Sequence, residues 1–167
     1  ALFKPLPFRH PQQLFLIGAP FSQAPSIAQI RQWAEAAPEV RMAAYRSPAA
    51  LGATADDSPI RVFAAKVGPG FFDVLGEYPL MGGFQPEHFV PTGGRVPVLL
   101  SYGLWQRLFA GSPSALGQPL DLPGAVESES GQALSFRVAG VLPRDFLYPN
   151  NADPPDLILP FAVAPAV

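Results

Sequence analysis

The chain has 167 residues, 49% of them apolar and only 14% charged, where an average soluble domain carries about 25% charged residues. With 11 basic against 13 acidic side chains and a net charge of -2, the sequence excludes charge-driven disorder and offers no basic run to neutralise phosphates, so nucleic acid is not an expected partner. There is no cysteine, which removes disulfides, thiolate catalysis and Cys-ligated zinc. No segment reaches the roughly 20 apolar residues that span a bilayer, so the chain as given is expected to be soluble. The 22 prolines each fix φ and delete a donor, which favours short elements separated by turns.

In chain order, the apolar run 14–17 reads as a buried strand. Ser26 then precedes Ile27, Ile30, Trp33 and Ala34 at helical spacing, with Gln29 placed for a capping box and Pro38 as a stop. Trp33 lies on the stripe that this helix should bury. Residues 40–45 and 60–67 have strand character, and Asp56, Asp57, Ser58 and Pro59 between them supply turn chemistry. Pro69 suits a first helical turn, Phe71, Phe72 and Leu75 cluster on one side, and Gly76 suits a left-handed cap. Residues 79–94, rich in Gly and Pro with Phe84 and Phe89 as anchors, read as a long connection between two lobes. Beyond it come a strand at 96–100 and a helix capped by Ser101 and stopped by Gly111. Strands at 118–122 and 135–141 should pair antiparallel across an acidic loop at 125–132, and an extended run at 157–161 should join a sheet.

The search for chemistry returns little. The two histidines, His10 and His88, stand far apart without partners at ligand spacing, and Glu87 beside His88 reads as a polar side chain facing solvent in a Gly/Pro-rich connection. Asp56 and Asp57 read as a solvated turn rather than an acid/base pair. No nucleophile elbow, P-loop or dinucleotide-binding glycine pattern is present, and Gly82-Gly83 and Gly93-Gly94 lack a following helix. The 13 phenylalanines exceed what one small core hides easily, which makes a partner surface a live expectation.

Five ordered stretches carry a resemblance. Residues 67–76 (Val-Gly-Pro-Gly-Phe-Phe-Asp-Val-Leu-Gly), 98–111 (Val-Leu-Leu-Ser-Tyr-Gly-Leu-Trp-Gln-Arg-Leu-Phe-Ala-Gly), 115–120, 136–146 and 156–160 together resemble the MacB-like periplasmic core domain of ABC transporter permeases of the FtsX and MacB type. Lys4-Pro5-Leu6-Pro7-Phe8, with Pro11 and Leu14, is similar to the stretch after the first membrane helix in duplicated, acidobacterial-type permeases. The positions carrying the pattern are Phe71, Phe72, Leu75, Gly76, Ser101, Trp105, Phe109, Gly111, Gly117, Gly140, Val141, Pro143, Phe146 and Pro160. Their role in the resemblance is architectural; no catalytic, cofactor-binding or metal-binding residue is assigned, and no cofactor is expected.

The resemblance implies an α+β, extracytoplasmic domain at a bacterial inner membrane. It implies a porter-like mixed α/β lobe at about 11–94 and a mainly antiparallel β lobe at about 95–161, within a single domain over 1–167. Gly82-Gly83 departs from the Gly-Arg common in relatives, so any ion pair made by that arginine is absent. The first lobe is expected to be incomplete at Val167, to leave a strand edge unpaired and to self-associate through it. The function implied is transmission of conformational change in a permease whose ATP hydrolysis resides in a separate cytoplasmic domain, with a dimer partner, a periplasmic adaptor or cargo as contacts. The alternative is a freestanding periplasmic binding or adaptor module derived from such a permease, and the flanking gene sequence discriminates the two. A third class, a metal-dependent hydrolase, would be revived by a stoichiometric bound metal.

Overall fold

Asp56 and Asp57 both take positive φ, 47° and 58°, the signature of a two-residue turn whose twist matches that of the strands it joins. That turn folds strand β1 (Tyr45–Ala55) back on β2 (Ser58–Val67), with Ala55 opposite Ser58 and Leu51 opposite Val62. The chain is described by a computed structural model over residues 13–14, 26–90, 94–123, 134–149 and 155–161. The strand expected at 40–45 starts only at Tyr45 and continues to Ala55, and Ser58 and Pro59 belong to β2 rather than to the turn. Pro59 is tolerated because it faces Thr54 at a pair that exchanges no ladder bonds. The second proline of the hairpin, Pro48, sits where the register slips between Arg46 and Ala49.

Among the described residues the strands form one sheet in the order β1-β2-β7-β4-β6-β3, with β5 also on β6. The remaining strands are β3 (Met81–Gly82), β4 (Arg95–Leu100), β5 (Pro119–Leu120), β6 (Ser135–Val141) and β7 (Leu157–Pro160). The β1–β2, β4–β7, β3–β6 and β5–β6 pairs are antiparallel, while β2–β7 and β4–β6 are parallel. Strands on both sides of Gly94 therefore share a single sheet, and residues 79–94 contribute β3 and a 3-10 turn at Pro86–Phe89 as well as connection. The run 15–17 and the acidic loop 125–132 lie outside the described residues; Leu14, which is described, packs against the sheet's core.

Alternation along the central strands sends side chains to two cores. Val98, Leu100, Leu157 and Leu159 join Val62, Leu104, Trp105, Phe136 and Val138 on one face. Leu99 and Ile158 join Val67, Phe71, Leu75, Leu142 and Tyr148 on the other. The first face is covered by helix α3 (Tyr102–Phe109), which begins where the Ser101 hydroxyl accepts from the Leu104 amide at 3.1 Å. It ends at Ala110, in the left-handed region at φ 49°, one residue before Gly111. The second face is covered by the short helix α2 (Phe71–Leu75), capped by Gly76 as expected; Pro69 precedes this helix instead of opening it.

Helix α1 (Ile27–Ala36) has the expected capping box, with reciprocal Ser26–Gln29 bonds of 2.8 and 3.2 Å. Its stripe is not buried: Trp33 is 38% exposed and, among the described side chains of the helix, only that of Ile30 is half-buried. Periodicity reports that a helix has an apolar face, but burial also needs an element packed on it.

Two residues bind the sheet together by side chain. Asp156, just before β7, donates its amide to the Phe63 carbonyl at 2.7 Å and accepts the Phe63 amide on Oδ2 at 2.8 Å, so a side chain replaces the missing rung beyond the end of β7. Its own carbonyl accepts the Ser101 amide at 2.8 Å, which ties the start of α3 to the same point. Tyr148, 1% exposed, sends its hydroxyl to the carbonyls of Arg46 (2.9 Å) and Lys66 (3.4 Å), while its ring meets Tyr45 edge-on at 5.4 Å and Phe71 at 5.7 Å.

Asp156→Ala strands the part-buried Phe63 amide and is expected to cost about 1–3 kcal/mol, read by urea unfolding. Burial, and secondarily the neighbouring Tyr45, holds the Tyr148 phenol well above its usual range. The unfolded chain then loses that proton before the folded one does, so this contribution to stability is complete below about pH 10 and declines as pH rises above it. Tyr148→Phe should lower stability at pH 7 by about 1 kcal/mol and flatten the alkaline decline relative to the parent chain.

Candidate functional site

The β3–β6 crossing is unusually close, and glycine makes it so. A Cβ on Gly82, whose φ is 65°, would lie 2.1 Å from the Ala139 carbonyl oxygen, and one on Gly140 would lie 2.7 Å from Met81 O and Gly83 N. Met81 faces Val141 and Gly82 faces Gly140, with flanking bonds from the Leu80 amide to Val141 O (2.7 Å) and from the Gly83 amide to Ala139 O (3.0 Å). The close approach turns the chain onto the sheet's second face, where Phe84 contacts Phe72 and Phe89 with ring centroids 6.5 and 5.6 Å apart. The 3-10 turn that follows is closed by His88, whose Nδ1 accepts the Gln85 amide at 2.9 Å. That bond leaves Nε2 as the protonated nitrogen of the neutral ring.

Between this turn and the ends of β4 and β6 lies an open groove of about 600 Å³ lined by Gly82, Gly83, Gln85, His88, Arg95 and Arg137, among others. Arg95 and Arg137 are both exposed, and Arg137 is steadied by a 3.0 Å bond from Nη1 to Gly117 O. Among the described residues that line the groove there is no carboxylate. Its donors (two guanidiniums, an imidazole N–H and a carboxamide) suit an anionic or carbonyl-rich surface, and its openness suits a partner's side chains better than an engulfed small molecule. Exposed Leu80 and Val90 adjoin its walls in sequence. Every described phenylalanine is buried or half-buried, and the exposed large apolar residues among those described are Trp33, Val40, Tyr78, Leu80, Val90, Leu116 and Leu147.

The fourteen positions singled out in the sequence divide between the faces of the sheet. Phe71, Phe72, Leu75 and Phe146 pack on the second face, with Gly76 ending α2 and the Pro143 carbonyl accepting the Phe146 amide at 3.2 Å. Ser101, Trp105, Phe109 and Gly111 build α3 and its end on the first; the Trp105 indole N–H donates to Ser112 O at 2.9 Å. Gly117 receives Arg137 and donates to Val138 O, Gly140 and Val141 pair with β3, and Pro160 pairs with Val67 in β7. They do not converge on one place. The groove residues Arg95, Arg137 and Gln85 carry no sequence signal, because Arg95 and Arg137 meet only through the parallel pairing of β4 with β6. Among the described residues no group of three or more His, Asp or Glu is arranged to hold a metal ion, and no helix is long and apolar enough to cross a membrane.

The family described as MacB-like periplasmic core domain matches residues 5–166. The fold is similar to the periplasmic region of MacB from Actinobacillus actinomycetemcomitans, at 17% identity and a TM-score of 0.51, covering 74% of this chain and 49% of that one. It is also similar to the extracellular domain of the noncanonic ABC-type transporter YknZ from Gram-positive bacteria, at 18% identity and a TM-score of 0.54, covering 78% of this chain and 59% of that one. The chain thus spans about half to three-fifths of these solved regions. No curated protein matches it.

Gly82→Ala cannot keep the observed crossing. It should cost at least about 2 kcal/mol in urea unfolding and speed hydrogen exchange at the Leu80 and Gly83 amides selectively.

Proposed function

The chain belongs to the MacB-like periplasmic core domain family, and from that membership we propose that it transmits conformational change between a membrane permease and partners outside the cytoplasm. It is a periplasmic core domain of the MacB-like ABC transporter permeases, on the extracytoplasmic side of the membrane. The family match over residues 5–166 is the observation that carries the reading. The mechanics support it. A sheet with apolar layers on both faces, closed by Asp156 and Tyr148, resists deformation, so displacement of one end is passed to the other. The Arg95–Arg137 groove is the contact we assign to an acidic surface of an adaptor or cargo protein. No reactive centre is assigned to the domain, and ATP hydrolysis belongs to a separate cytoplasmic unit.

The test uses the full-length transporter. Because this chain has no cysteine, Gly103→Cys on the exposed side of α3, where a Cβ meets nothing within 4 Å, gives a unique label within the domain. The label-to-label distance between two copies in the reconstituted assembly should change by several Å, on the order of a helix or domain shift, between nucleotide-free and ATP-bound states. Identical distances in both states would refute force transmission. The groove is tested separately: the Arg95→Glu, Arg137→Glu double variant should lose capture of the adaptor or cargo while the parent transporter's basal ATP hydrolysis is kept.

A further inference from the structure

Arg95 and Arg137 stand on neighbouring parallel strands and on the same face of the sheet. Val96, Val98, Phe136 and Val138 join the first core, so alternation sends Arg95, Pro97 and Arg137 to the second face. The register sets Pro97 opposite Arg137, which leaves Arg95 two residues back along β4. A strand spacing of about 4.8 Å and a two-residue rise of about 6.6 Å put the two arginine Cα atoms about 8 Å apart.

Their side chains are kept from converging. Arg137 Nη1 donates to Gly117 O at 3.0 Å, and Gly117 lies on the side of β6 away from β4, where its amide bonds Val138 O at 2.8 Å and Pro119 pairs with Arg137. One guanidinium is therefore drawn outward past β6, while the other rises from β4 on the opposite side. The geometry suits two separate anionic groups rather than one ion clamped by both forks. Beside them the groove is lined by Pro97 and Ala139, both half-buried and without charge, and by the turn that holds His88. His88 Nδ1 is occupied by the Gln85 amide, so the neutral imidazole has only its Nε2–H to offer the groove it lines.

In an extended chain, side chains at i and i+2 share a face and lie about 7 Å apart, close to the separation of the arginines. We propose that the groove takes an extended segment of a partner protein with carboxylates at i and i+2, one on Arg95 and one on Arg137, and that His88 receives a backbone carbonyl of the same segment. A phosphate or a lone carboxylate engages one arginine at a time and forgoes the second contact. The proposal rests on the reading of the groove as a contact with an adaptor or cargo protein and specifies what that protein presents. It is independent of whether the domain transmits force.

The experiment uses the 167-residue chain and end-capped peptides as probes, with binding followed by isotope-edited NMR of the arginine side chains and the His88 ring. Thr-Glu-Thr-Glu-Thr holds the spacing, Thr-Glu-Glu-Thr-Thr has the same charge on opposite faces, and Thr-Glu-Thr-Gln-Thr lacks one carboxylate. The first should bind about three- to fivefold tighter than either of the others, should weaken with added salt and should shift the His88 ring signals. Arg95→Gln and Arg137→Gln, both at exposed positions, should each lower its affinity to that of the single-carboxylate peptide, while Arg107→Gln on the exposed side of α3 should leave it unchanged. Equal affinity for the first two peptides, equal affinity for inorganic phosphate, no binding at all, or indifference to both groove variants overturns the proposal. So does binding that appears only after Glu127→Gln with Glu129→Gln, which would give the groove to this chain's own acidic stretch. Adaptor or cargo capture that depends on Arg95 and Arg137 without any peptide preference would keep the contact and discard the spacing.

Discussion

Strand β7 contributes only Leu157–Pro160, yet the sheet is joined through it: β2 lies on one side in parallel, β4 on the other in antiparallel. All four residues are buried, with Leu157 and Leu159 in one core and Ile158 in the other. A strand so short cannot satisfy the full length of its neighbours. The shortfall is met at its start by Asp156, which answers both polar groups of Phe63 and anchors the first residue before α3. At its far end the Phe161 amide bonds Val67 O at 2.8 Å, and the Phe161 ring lies 5.4 Å from the Arg46 guanidinium. Helix positions, aromatic layer and groove all take their places from this junction.

The aromatic layer shows how the junction is extended. Ring contacts run from Tyr45 through Tyr148 and Phe71 to Phe72, and on to Phe84 and Phe146. These residues come from β1, from the segment after β6, from α2 and from the turn after β3, so four distant parts of the sequence meet on one face. Flat rings supply contact area at little entropic cost and tolerate tilted and edge-on geometries. The Tyr148 hydroxyl then converts part of this packing into a fixed register by grasping the carbonyls of β1 and β2 together.

Much of the local structure was legible in the sequence because local chemistry determines it. Ser26 with Gln29, Ser101 before an apolar stripe, the Asp56–Asp57 turn and Gly76 each stand where their side chain or backbone preference acts within a few residues. Strand β1 was harder to place. Residues 49–55 are alanine-rich with no β-branched alternation, and they are a strand because β2 pairs with them, whereas in 40–44 only Ala44 continues that pairing, its carbonyl accepting the Gly68 amide at 2.7 Å. The same reason hides the groove: Arg95 and Arg137 are 42 positions apart in the sequence and neighbours only across parallel strands. Tyr148 and the clamp made by Asp156 sit in turn-rich sequence, where no periodicity marks a residue as central.

The placement of β7 also orders events in time. The β1–β2 hairpin forms from contacts close in sequence, and every residue of the β4–α3–β6 unit precedes Leu157 in the chain. Until the last central strand emerges, the facing edges of β2 and β4 have nothing between them, and the nascent chain carries two open, apolar-sided half-sheets.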